Sequence, residues 1–465
     1  SSQSHLKNPF YLASSKGVYN MAAPTSMDIS QSLELLTPPK TPPADSQVRL
    51  FHNWPEPETE PDEVHFEIPW SNYIESADDA DEADDFHVPH QNVLLLHGPK
   101  QKYQHTKKHP IPRLENDREM LVEVEVIGLN PIDWKAPDFG FGLPDLPCIS
   151  GRDLAGKVVR APKTKSRFDV GDKVMAISTD YRDSRKAAYQ QYAAVSDFNA
   201  CRLPKNISAE EAAPLGVAFV AAALALGICI GMDFVVTNDG PRGPDLLRIV
   251  RSLSRDALPQ DIHKECFDSI GEHERAREGD WIAIWGGSSA TGCCAIQLAK
   301  LAGLKVIAVI DVARSGERML THGADLLVDR LNEERAISIV KAITKGKLRF
   351  GLDTRGKDTA ALLAEAMRTE NEGGDSRAHL VGLVGVPKTA TKGVVYHSVP
   401  IKSFHEAPQV GEGMMVWLEK LLEQNLISTP EIEIADGGLE GINAALDRLR
   451  DGSVNGPRIV VPLRS

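Results

Sequence analysis

The chain has 465 residues, 42% hydrophobic and 25% charged, with a formal charge of −13. That length allows two to three domains of the usual ~100–200 residues, and the apolar share excludes wholesale disorder and a collagen-like chain. The acidic balance speaks against a general nucleic-acid binder, which carries a basic footprint.

The acidity is local. Residues 1–90 hold 4 Lys+Arg against 16 Asp+Glu, with 11 of the 30 Pro and one Gly, whereas the rest of the chain holds 48 basic against 49 acidic residues. Stretches such as LTPPKTPPADS (36–46) and ESADDADEADD (75–85) bury nothing and repel themselves, which predicts a disordered acidic, Pro-rich extension over 1–90. The six cysteines show no CxxC pair and no disulfide-framework spacing, so a reducing, cytoplasmic setting is expected.

From Asn92 the texture changes. Val93–Leu96, Met120–Val126, Gly156–Val159, Lys173–Ala176 and Tyr192–Val195 are short, Val-rich and punctuated by Gly, Pro and Asp, which predicts a mostly antiparallel β domain over 91–232. Leu215–Met232 closes it with 18 uncharged residues, the lower limit for a membrane span. It is rich in Ala and Gly and lacks a flanking basic cluster, so a buried helix is expected and no membrane partner. Residues 233–279 are polar and irregular, except that Leu246, Leu247, Val250 and Leu253 recur at helical spacing. This segment reads as an insertion lying on the surface.

Beyond Trp281 strands and helices alternate. The strand Trp281–Trp285 leads through a Gly/Ser turn to a helix from Gly292 to Ala302, and the strand Lys305–Ile310 follows. A helix to His322, a strand Asp325–Val328 and further strands at 348–353, 378–384 and 458–462 continue the pattern. Alternation at this spacing predicts an α/β unit with an open, doubly wound parallel sheet over 280–430.

The strongest chemical signal is the turn that follows Trp285: Gly286, Gly287, Ser288, Ser289, Ala290, Thr291 and Gly292. Small residues between a strand and a helix let backbone N–H groups approach a pyrophosphate at the helix N-terminus. Asp311 ends the second strand 19 positions beyond Gly292, where a carboxylate can accept from a ribose diol and favour NAD(H). It can equally cap the next helix, and nearby Arg314 could hold a 2′-phosphate, which keeps NADP(H) possible.

A second constellation is GLNPIDWK (128–135), followed by Gly151-Arg152-Asp153. With LPCISGRDLAGKVV, FDVGDKVMA and WGGSSATGCCAIQLAKLAGLKVIAV in the same order, the chain resembles the medium-chain dehydrogenase/reductase superfamily over 92–465. It is most similar to the zinc-free quinone oxidoreductase and enoyl reductase branch, and its turn resembles that of stand-alone fungal enoyl reductases. The resemblance implies a GroES-like β domain joined to a Rossmann domain, with 431–465 returning to the catalytic domain. It adds the turn Asp353-Thr354-Arg355-Gly356, near the adenosine ribose, and the strand end Val384-Gly385-Val386-Pro387, near the nicotinamide amide, as cofactor contacts, chiefly Thr354, Val384, Gly385 and Val386. Zinc-dependent members carry Cys and Gly-His-Glu where this chain has Asn130 and Gly151-Arg152-Asp153, and the Cys-rich lobe of their structural zinc has no counterpart, so no zinc is expected in the protein.

Lys135 then stands where the family often places a Tyr or His near the nicotinamide. Its ammonium could hold a carbonyl oxygen or deliver a proton, or it could be an ordinary surface lysine. Asn130 and Asp133 would orient substrate and Lys135, or merely cap the turn around Pro131. The implied function is NAD(P)H-dependent, zinc-independent reduction of an activated C=C bond or a quinone. Its partners would be a small-molecule enone, enoyl thioester or quinone, with no nucleic acid, in a monomer or homodimer. The alternative is a nucleotide-binding sensor with little turnover.

Overall fold

Parallel strands shape the second half. In the computed structural model, which describes residues 89–237, 240–368, 376–454 and 456–463, six of them form one sheet. Its spatial order is Leu326–Asp329, Lys305–Ile310, Trp281–Trp285, Phe350–Asp353, Ala378–Gly382 and Val394–His397. That is the 3-2-1-4-5-6 order of a dinucleotide-binding sheet, in which the chain reverses direction beside its first strand and opens a crevice there. The strand WIAIW at 281–285 is almost wholly buried because helices cover both faces. The acidic extension predicted over 1–90 lies almost entirely outside the described residues.

The first half is β-rich. A seven-stranded sheet is built around Glu119–Gly128, which pairs antiparallel with Asp153–Arg160, Tyr192–Ser196 and Arg458–Pro462. A second, three-stranded sheet joins Gln104–Pro110, His90–Leu96 and Cys148–Ile149. The strand 458–462, read from sequence as one more alternating strand, thus belongs to the β domain. Val394–His397, which escaped the sequence reading, supplies the sixth parallel strand. The strand expected over 378–384 ends at Gly382.

The surface placement of 233–279 is corrected. Helix Leu246–Ser252 buries Leu246, Leu247 and Val250 completely, and Ile262, Cys266 and Ile270 are buried with them. They join the core cluster of the helical run Ala209–Cys229, whose most apolar window is 94% buried. Phe234 stacks obliquely on Trp417 with ring centroids 4.7 Å apart, and the Trp417 indole donates to the Pro241 carbonyl at 3.1 Å. The segment looks polar because its apolar residues are spread over short turns, which gives no sustained period to read.

Candidate active site

The turn after Trp285 is built by its neighbours as much as by itself. Gly286 adopts φ +78°, and a Cβ there would lie 2.3 Å from Thr354 Oγ1. A Cβ on Gly292 would lie 2.7 Å from the carbonyl oxygens of Gly286 and Gly287, so helix and strand touch backbone to backbone. Ser289 caps helix Ala290–Leu301, its hydroxyl accepting from Gly292 N and donating to Thr354 Oγ1, both at 3.0 Å. Thr354 Oγ1 in turn donates to the Gly286 carbonyl at 2.9 Å. Thr354 is therefore the staple of the turn, and Asp353 beside it accepts from the backbone N–H groups of Arg355 and Gly356.

In front of the turn lies a cleft of about 700 Å³ between the parallel sheet and the β domain. Gly286, Ser288, Ser289 and Ala290 line it together with Asp311 and Arg314. Both readings of Asp311 meet here: its Oδ1 caps helix Val312–Thr321 by accepting from Arg314 N at 3.2 Å, and the residue still faces the cleft. Gly287, Thr291, Gly292 and Thr354 are not among the residues lining it. Val384, Gly385 and Val386 follow the end of strand Ala378–Gly382, with Val384 exposed.

Sequence reasoning missed Arg318 and Arg330, which line the cleft together with Arg355 of the turn Asp353-Thr354-Arg355-Gly356. Arg330 was findable, because it stands immediately past the carboxyl end of a parallel strand, where ligands of such sheets gather. Arg318 donates to the Ser288 carbonyl at 3.3 Å from the helix behind it and lies 3.5 Å from Glu431. Arg458 reaches the cleft from the last strand of the β domain, and no local pattern marks it.

The loop after Gly128 turns its polar groups inward. Asn130 precedes helix Pro131–Phe139, and its backbone N–H donates to Asp133 Oδ2 at 2.8 Å. Its amide Nδ2 donates to Asp153 Oδ2 at 2.8 Å, while its Oδ1 accepts from Arg458 at 2.6 Å. Asp153 also accepts from Val217 N at 2.8 Å, tying the apolar helix to this cluster. Burial pushes the Asp153 carboxyl up to about 7 and raises that of Asp133, and it lowers the Arg458 guanidinium below its ordinary range. The Lys135 ammonium rests 5.5 Å from the Trp134 ring centroid, on the helix whose Pro131 lines the cleft, and Lys135 itself is not among the lining residues.

The catalytic zinc of the zinc-dependent relatives does not fit these residues. Both ends of the Asn130 amide are spent on Asp153 and Arg458. The Arg152 guanidinium has no lone pair to offer and lies 3.7 Å from the Tyr181 ring centroid. A dinucleotide does fit: the crevice sits at the carboxyl ends of the parallel strands, with a capped helix N-terminus and five guanidiniums around it.

Comparison with known proteins agrees. The alcohol dehydrogenase GroES-like domain family matches residues 116–205, and the zinc-binding dehydrogenase family matches residues 290–406. A trans-enoyl reductase of Fusarium mangiferae is 30% identical over 365 residues, which cover 74% of this chain and 92% of that protein. A trans-enoyl reductase of Botryotinia fuckeliana is 26% identical over 77% of this chain and 95% of its own. Among solved structures, a putative NADPH:quinone reductase from Bacillus thuringiensis superposes with a TM-score of 0.61 at 16% identity, covering 80% of this chain and 99% of that one. The CurK enoyl reductase gives a TM-score of 0.56 at 15% identity, with coverage of 80% and 99%. With its GroES-like sheet, its 3-2-1-4-5-6 parallel sheet and these relatives, the chain belongs to the medium-chain dehydrogenase/reductase superfamily, in the enoyl reductase and quinone oxidoreductase branch.

Proposed function

We propose that this protein is a zinc-independent reductase of activated C=C bonds that takes α,β-unsaturated thioesters or enones with a nicotinamide cofactor. The observation that carries the reading is one pairing. An intact nucleotide turn faces a loop whose metal-ligand positions hold a hydrogen-bond-spent Asn130 and a cationic Arg152.

When bound, the dinucleotide supplies the hydride. The N–H groups at the start of helix Ala290–Leu301 and the Arg318 guanidinium would hold the pyrophosphate. The NADH preference expected from sequence rested on Asp311. Arg314, Arg330 and Arg355 line the same cleft, so its adenosine side is more positive than Asp311 and Glu317 are negative. A 2′-phosphate gains more there than it loses, and we favour NADPH.

Leu129 and Pro131 form the facing wall. We assign Lys135, one turn beyond Pro131, to the substrate carbonyl oxygen or to proton delivery. Asn130 and Asp133 act as positioning residues, holding that helix by its N-terminus. The all-thiol cysteines, five of six buried, suit a cytoplasmic enzyme, and its unit is a monomer or homodimer that solution mass would settle.

The test is consumption of NADPH and of NADH, followed by absorbance, against a short unsaturated thioester, an enone and a quinone. Turnover of the thioester or enone with NADPH is expected. Tighter binding of NADH would restore Asp311 as the determinant, turnover of quinones alone would move the substrate class, and binding without turnover would favour a sensor.

A further inference from the structure

Far from the cleft, a buried chain of polar groups joins the segment 233–279 to the edge of the parallel sheet. His397 Nδ1 lies 2.7 Å from Glu265 Oε2, and the other Glu265 oxygen accepts from Ser398 N at 3.2 Å. His397 Nε2 lies 2.9 Å from His379 Nδ1. His379 Nε2 is completely buried without a hydrogen-bond partner, and Glu274 Oε1 stands 3.7 Å from it. Cys229 completes the group: its Sγ, a Glu265 oxygen and a His397 nitrogen all lie within 4.8 Å of one another, and the three residues are buried.

The donor count along this chain does not close by itself. A His397 with its proton on Nδ1 satisfies Glu265, but its Nε2 must then accept from His379 Nδ1–H. That leaves the His379 Nε2 lone pair without a donor, 3.7 Å from a Glu274 carboxylate that Arg377 already holds. With the proton on His397 Nε2, every later link is a donor facing an acceptor, as His397 donates to His379 and the His379 N–H points toward Glu274. The His397 Nδ1 lone pair then faces the Glu265 carboxylate, an arrangement that a cation bound by both would complete. Second-shell donation of this kind is what a metal-bound histidine makes with its other nitrogen.

We propose that Cys229, Glu265 and His397 bind a divalent cation of the zinc class, which pins the segment 233–279 to the parallel sheet. One sulfur, one imidazole nitrogen and one carboxylate oxygen are the donors zinc takes. A tetrahedral ion needs donors about 3.3–3.7 Å apart, which a shift of about 1 Å in these side chains provides. Cys229 and Glu265 both sit in wide π-helical turns, a local distortion that re-aims side chains at functional positions. Cys266 is buried beside Glu265 in the same π-helical turn. The three ligands are 36 and 132 positions apart in sequence, so the ion would cross-link segments that no local motif connects. It is distinct from the loop of Asn130 and Arg152.

The experiment uses full-length, tag-free protein. Elemental analysis is expected to find about one zinc per chain, as a closed structural site holds. Protein unfolded in chelator and refolded should recover a higher melting temperature with Zn²⁺ than with Mg²⁺. Refolding with Co²⁺ should give a thiolate-to-cobalt absorption that Cys229→Ser abolishes and Cys293→Ser keeps. If Cys229→Ser does not fold, the cobalt absorption and zinc content of the unmodified chain decide alone. A chain without metal whose refolding ignores Zn²⁺ would overturn the proposal and leave the cluster a buried hydrogen-bond network. Metal that persists in a folded Cys229→Ser, Glu265→Gln double variant would overturn it equally.

Discussion

Asn130 and Asp153 can be recognised in the sequence before their partners can. The loop GLNPIDWK is visible in the sequence as chemistry-bearing, but only the fold brings Asn130 onto Asp153 and Arg458. The Asp153 carboxyl, pushed up to about 7 by burial, makes a prediction about pH. An unfolded chain releases that proton near pH ~4, and the folded chain keeps it to about 7. Stability from this group should therefore fall as pH rises through that window, by at most about 1.4 kcal/mol per unit. Asp153→Asn, which imitates the protonated carboxyl, should flatten the slope. Urea denaturation from roughly pH 4.5 to 7.5 measures it, and an unchanged slope would mean that Asp153 is ionised in the fold.

The element that matters most is the turn between strand Trp281–Trp285 and helix Ala290–Leu301. Its glycines and serines were legible because a pyrophosphate site needs small residues between an apolar strand and a helix. Thr354 was legible only through the family resemblance, since its contact with Gly286 crosses between two parallel strands. Gly286→Ala should meet both the left-handed backbone and Thr354 Oγ1. We expect a loss of about 1–3 kcal/mol in stability, as for other strained backbone positions, and much weaker dinucleotide binding. Thermal unfolding and a fluorescence titration with NADPH check the two effects separately. A variant that melts normally and still binds would show that the turn can relax.

At the scale of the whole molecule, the polar segment 233–279 contributes to the core, whereas the composition of the acidic N-terminal stretch predicts that the fold does without it. A chain beginning near residue 89 should melt and bind dinucleotide as the full chain does, because 16 acidic residues and 11 prolines leave 1–90 little apolar surface to bury. Differential scanning calorimetry of both chains tests this. A truncated chain that melts much earlier would assign the extension a place in the fold.

The sequence by itself determined the features that repeat locally: Val-rich strands, alternation of strand and helix, and a glycine turn between them. Each is written within a window of a few residues, as hydrophobic period and backbone freedom require. Family resemblance extended that to the order of domains. Only the tertiary structure decided which arginines surround the cleft, why Asn130 faces inward, and how Cys229, Glu265 and His397 meet. Those contacts join residues far apart in the chain, and side-chain burial and hydrogen-bond closure act on distance in space, of which linear spacing carries no record.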